Sequence, residues 1–250
     1  MSIRRRSREV LLVGVDLAWQ SEKNPSAIAH GALSDFVLTA TKVEPAIYGI
    51  DDVLNQLTNV VGLQGIAIDA PLIISNENGQ RPCERGIGKK YGSRHASCHT
   101  SNKNLYPDAK SVYLSLKLLA KGFNHLEGDR WQIECYPHPA IIEMFNLPER
   151  LKYKKGKVAD KKAGQKKLAK LILNLRTSKV LPLKINDDVM SYLSSTYIES
   201  LVGQKLKSNE DALDAIVCLY VAGLYSINAG GQVFGDADTG YIWVPQDVCI

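Results

Sequence analysis

The chain has 250 residues, enough for one large domain or at most two small ones. Its hydrophobic content of 45% and charged content of 23% are those of an ordinary globular protein and exclude a disordered, collagenous or low-complexity chain. The formal net charge of +5 is compatible with a phosphate-bearing partner. The five scattered cysteines (Cys83, Cys98, Cys135, Cys218 and Cys249) are odd in number and come with no export signal, which points to reduced thiols in a cytoplasm.

The opening "MSIRRRSREVLLVGVD" lacks the small-residue cleavage site of a signal peptide and reads as a short basic arm entering a strand. "VLLVGVD" (residues 10 to 16) is a continuous apolar run, as expected of a central strand covered on both faces. "SAIAHGAL" and "FVLTATKV" follow, separated by Ser34 and Asp35, so the first three strands form an antiparallel meander. Residues 46 to 61 carry helical spacing, and "GIAIDA" (65 to 70) is a fourth strand ending in Asp69. Residues 75 to 106 are polar, Gly-rich and aperiodic, which predicts a long basic loop insertion.

Beyond it the spacing predicts a helix over 109 to 121, a strand over 131 to 136, and a short helix opened by Pro139. An amphipathic helix over 160 to 176 carries Leu168, Leu171, Ile172 and Leu175 on one face. Further helices cover 186 to 206, and the clearest helix runs from Ser208 to Tyr225. "GYIWVP" (240 to 245) closes the chain as a strand. The longest apolar stretch, 212 to 224, is interrupted by Asp214 and is too short to span a bilayer, so no membrane partner is expected. One mixed α/β domain spanning residues 1 to 250 accounts for this order.

Three antiparallel strands, a helix, a fourth strand and then alternating helices and a strand is the element order of a ribonuclease H-like fold, a mixed sheet with helices on both faces. In that layout the first and fourth strands are neighbours, so Asp16 and Asp69 face each other at adjacent strand ends. Two carboxylates that close repel, and one protonates unless a cation lies between them. Hard oxygen donors of this kind suit Mg2+ or Mn2+. "SNEDALDAIVCLY" (208 to 220) adds Asp211 and Asp214, three residues apart on one helical face. Asp214 sits in a nearly all-apolar stretch, whereas Ser208-x-x-Asp211 matches a helix-capping pattern. Each strand-end Asp taken alone also fits a turn cap. Their shared placement favours the cation.

"GVDLAW", "IDAPL", "RPCER", "ECYPHP", "EDALDA" and "GYIWVP", in that order, resemble domain of unknown function family 429, regarded as predicted nucleases of ribonuclease H-like fold. The resemblance runs from Gly14 to Pro245. It implies metal ligation by Asp16, Asp69 and Asp214, with Asp211 or Glu134 as a fourth catalytic acid. The two-carboxylate helix is similar to that of the Holliday-junction resolvase branch, which carries Glu where Asp69 stands. Glu134 would then supply the missing reach.

The insertion holds Arg81, Arg85, Lys89, Lys90, Arg94, His95, His99 and Lys103 against Glu77 and Glu84. Arg81 and Arg85, inside a family motif, are the expected phosphate ligands. His138 is a candidate for proton transfer. Nine Lys between residues 152 and 170 read mostly as a solvated helix face, with a non-specific nucleic-acid contact as the alternative. The expected activity is a divalent-metal-dependent nuclease on DNA or RNA, with two ions roughly 3.5–4 Å apart. A non-catalytic nucleic-acid-binding module of the same fold is the alternative. An ATP-dependent phosphotransferase is disfavoured, because "LAWQSEKNPS" stands where such enzymes need a Gly-rich phosphate loop. A dimer is compatible with the sequence but not required by it.

Overall fold

A computed structural model describes residues 9–20, 23–246 and 248; the expected N-terminal basic arm and Cys249 lie outside them. β1 (Val10–Asp16), β2 (Ser26–Ser34) and β3 (Val37–Ile47) form the expected antiparallel meander, followed by α1 (Ile50–Thr58) and β4 (Leu63–Asp69). α2 (Pro82–Tyr91), α3 (Lys110–Ala120), β5 (Asn124–His125), β6 (Trp131–Glu134), α4 (Pro137–Met144) and α5 (Val158–Asn174) come next. The chain ends with β7 (Leu183–Ile185), α6 (Asp187–Leu193), α7 (Ser195–Ser200), α8 (Gly203–Ser226), β8 (Gly231–Asp236) and β9 (Gly240–Pro245).

Seven strands form one sheet in the order β5-β6-β4-β1-β2-β3-β7. β4 runs parallel to β1 and β6 parallel to β4, so the antiparallel meander gives way to parallel strands at the sheet centre, as in a ribonuclease H-like fold. Strand periodicity sorts the side chains between two cores. Leu12, Ala67 and Ile133 pack with residues of α4, α5, α6 and α8, while Val13, Val15, Ile66 and Ile68 pack with Val53, Leu57, Leu114 and Leu118 of α1 and α3. This two-sided cover is why β1 and β4 are apolar without alternation.

α8 lies across the sheet at very close range. A methyl group on Gly14 would come within 2.0 Å of the Leu219 nitrogen and 2.3 Å of the Ala215 oxygen, both helix backbone atoms. Side-chain movement cannot relieve that clash, so glycine is required there.

Three expectations change. Residues 75 to 106 are not an open loop, since they contain α2, which packs on the hairpin of β8 and β9. Periodicity missed α2 because its PCERGIGKKY sequence mixes two glycines with four charges. α8 begins at Gly203, five residues before Ser208, so Ser208 is interior and does not cap the helix for Asp211. The closing strand pairs with β8, outside the main sheet, and is joined to it by a bridge between Cys135 and Trp243 and by the Tyr241 hydroxyl, which donates to the Gln132 carbonyl at 3.0 Å. β8 escaped notice because it is largely exposed and short of apolar residues.

Gly14→Ala tests the seat of α8. Overpacking commonly costs about 1–3 kcal/mol, and with backbone as the obstacle the upper end or beyond is expected. Chemical denaturation should show that loss, whereas Gly88→Ala, with nothing within 4 Å of the added methyl, should leave stability nearly unchanged.

Candidate active site

Register builds the site. Asp16 and Asp69 are direct partners at the ends of β1 and β4, and both share parity with residues that face α8, namely Gly14 and Ala67. β1 therefore carries Gly14 under α8 and Asp16 one pleat further on, where α8 presents Asp211 and Asp214. Asp214 is completely buried and Asp211 nearly so.

The electrostatics register this crowding. Burial pushes the Asp16 carboxyl well above its ordinary range; the Lys154 ammonium opposes that rise, and Asp214, Asp211 and Asp69 reinforce it. Asp69 is pushed up to about 7, again chiefly by burial, with Lys154 opposing and Asp214 reinforcing. Lys154, on the segment between α4 and α5, places its Nζ 2.6 Å from Asp214 Oδ2. The neighbouring Tyr153 donates its hydroxyl to Asp214 Oδ1 at 2.6 Å. Lys207, one turn before Asp211 on α8, forms ion pairs with Asp211 and Glu210.

The carboxylates open onto a cavity of about 750 Å3, lined by Asp16, Asp69, Trp19, Tyr136 and His138 and by the cations Arg150, Lys152, Lys154, Lys155 and Lys207. Trp19 is braced edge-on by Tyr106, with ring centroids 4.5 Å apart. His138 lies edge-on to Tyr136 and Tyr153, and its pKa is lowered to about 3 by burial, with the Lys154 charge adding to the effect. It is thus neutral at physiological pH and has no proton to donate as an imidazolium.

Glu134 and Arg81 stand elsewhere. Glu134 is the register partner of Ile68, so its side chain leaves the sheet on the face opposite Asp16 and Asp69. There it receives Arg81 Nη1 at 2.9 Å and Nη2 at 2.6 Å, and also the Leu72 N–H at 2.9 Å. Arg81 further donates to Glu84 Oε1 at 2.8 Å and to the Ile73 carbonyl at 3.0 Å. At 2% exposure its guanidinium is fully committed and does not face the cavity. Burial disfavours that charge, but Glu134 outweighs it and holds Arg81 protonated. Arg85 is exposed and donates to the Gln80 carbonyl at 2.5 Å. The fourth acid that the structure brings to the cluster is Asp211, and the cations at the cavity come from residues 150 to 155 and Lys207. Of that segment, the lysine run in the sequence was the available signal.

The donor set fits a hard divalent cation in its chemistry. Asp211 Oδ2 is buried with no hydrogen-bond partner, and Asp214 Oδ2 meets Lys154 outside hydrogen-bond geometry. The donors do not enclose a ready cage: among the described residues, no group of three His, Cys, Asp or Glu side chains converges on one ion position.

Two measurements check this geometry. Removing one partner of a buried ion pair costs about 3–5 kcal/mol, so Glu134→Ala should destabilise the fold by that order. The raised carboxyl gives a pH test in chelator. The folded protein keeps the Asp69 proton up to about pH 7, whereas an unfolded Asp loses it near 3.8, so wild type loses stability as pH rises between the two. Asp69→Asn lacks that penalty and should gain on wild type through the same window.

The family model described as protein of unknown function (DUF429) matches residues 14–239, from within β1 to the turn that follows β8. No curated protein and no solved structure matches the chain. The family match takes in Asp16, Asp69, Asp211 and Asp214, and the chain belongs to the DUF429 family.

Proposed function

We propose that the chain is a divalent-metal-dependent phosphodiesterase acting on nucleic acid. One observation carries the reading: Asp16 and Asp69 in register, with Asp214 behind them, at a cavity ringed by five cations. A structural role for these acids would call for hydrogen-bond partners, since a buried polar group left unpaired is costly. Asp211 Oδ2 is buried without one, and Asp214 Oδ2 meets Lys154 outside hydrogen-bond geometry.

In this reading Asp16, Asp69 and Asp214 hold Mg2+ or Mn2+, with Asp211 beside them. The bound ion would supply Lewis-acid polarisation of the phosphate and a more acidic water. Tyr153 fixes the orientation of Asp214 through its hydroxyl. Arg150, Lys152 and Lys155 attract the polyanionic backbone and hold a phosphate against the carboxylates. Neutral His138 is able to accept a hydrogen bond from water or a leaving hydroxyl at the cavity wall.

Labelled single-stranded, duplex and four-way-junction DNA and RNA, incubated with manganese, test the activity. Cleavage that disappears in Asp69→Asn is the expected result; no cleavage of any substrate would sink the proposal in favour of a binding module. Binding to a non-cleaving Asp69→Asn protein gives a second check. Arg150→Ala and Lys155→Ala should each reduce the salt slope of nucleic-acid binding by about 1, as loss of one phosphate contact does, whereas Arg81→Met should leave it unchanged.

A further inference from the structure

Lys154 is a lysine placed where the proposed reading needs a metal ion. Its Nζ is 2.6 Å from Asp214 Oδ2, and its side chain is 28% exposed toward the same cavity that Asp16 and Asp69 line. Of the cations near the carboxylates, it is the one with the largest effect on both Asp16 and Asp69. The groups facing it come from several elements: Asp16 on β1, Asp69 on β4, Asp214 and Glu210 on α8, His138 on α4, Tyr136 before it, and the adjacent Tyr153, whose ring centroid lies 5.6 Å from the ammonium. Lys207 is committed to Asp211 and Glu210, and Lys152 and Lys155 are exposed on the rim.

We infer that Lys154 is an exchangeable counter-cation, whose ammonium neutralises Asp16, Asp69 and Asp214 in the ion-free protein and withdraws into the cavity when a divalent cation enters. The inference rests on the proposed metal-dependent reading. Three features of the structure support it. The Lys154–Asp214 contact lacks hydrogen-bond geometry at Asp214 Oδ2, so charge rather than direction holds it. Lys154 lies between α4 and α5, where the backbone is neither helix nor strand, while Tyr153 keeps its own bond to Asp214. The withdrawn ammonium would also arrive among Arg150, Lys152 and Lys155, on the side from which a phosphate approaches. A point charge on a flexible stem suits such a move better than a forked guanidinium.

An ammonium and a divalent ion repel at the same carboxylates, so the two compete. Calorimetric titration with manganese(II) at mildly alkaline pH, beside thermal melting in chelator, reads both sides of that competition in wild type, Lys154→Met, Lys154→Arg and Lys155→Met. The expected Lys154→Met protein melts below wild type in chelator yet binds manganese tighter by about tenfold or more. Lys154→Arg keeps the competing charge and stays near wild-type affinity, and Lys155→Met changes neither quantity appreciably. Should Lys154→Met not fold, Lys154→Gln keeps a polar tip for Asp214 and takes its place. Manganese affinity equal to wild type in the charge-removing variant overturns the exchange but leaves the metal site standing. Absence of manganese binding in all the proteins overturns both.

Discussion

α8 lies so close to β1 that no side chain fits at Gly14, and the arrangement of the carboxylates follows from that contact. A helix seated directly on the central strand brings its own residues within reach of the strand's end. Asp16, two residues beyond Gly14, projects on the same face by strand periodicity. Parallel pairing then adds Asp69 in register, and the preceding turn of α8 adds Asp211 and Asp214. The backbone therefore holds together charges that would separate if free to do so. Burial and mutual repulsion appear as raised carboxyl pKa values at Asp16 and Asp69, with Lys154 as the main opposing charge.

The sheet carries a different charge system on each face, near enough for Glu134 to add to the rise at Asp69. On one face Asp16 and Asp69 line a cavity open to solvent, with Asp211 and Asp214 buried behind them. On the other, Arg81 and Glu134 form a closed network with Glu84, the Leu72 N–H and the Ile73 carbonyl, satisfied on every side. Closed networks of buried charge tie segments together, and this one fastens the start of α2 to the chain that leaves β4. Its position explains how an arginine in a family motif is consistent with a structural task. It anchors the inserted helix just behind the strand that ends in Asp69.

Much of this was legible in the sequence. The apolar runs at residues 10 to 15 and 65 to 68, each followed directly by an Asp, placed the central strands, since strands covered on both faces read that way. Asp214 stood out because a charge inside an apolar helix is costly without a purpose. The face on which Glu134 emerges was not legible, because it depends on the register between β4 and β6, which no local pattern encodes. Arg81 and Arg85 looked equivalent as charges, and only tertiary packing buries one and exposes the other. Lys154 was hidden in a run of nine lysines whose solvated members follow the same pattern. The capping pattern at Ser208 misled because α8 continues for five residues before it.

The central claim is that Asp16, Asp69 and Asp214 form one metal-binding group. Diffraction from crystals soaked in manganese, recorded at the manganese absorption edge, tests it most directly. The account predicts an anomalous peak within bonding distance of the Asp16 carboxylate and of Asp69 or Asp214, with the Lys154 ammonium displaced from Asp214. A map with no peak at these residues, and Lys154 still seated on Asp214, would contradict it.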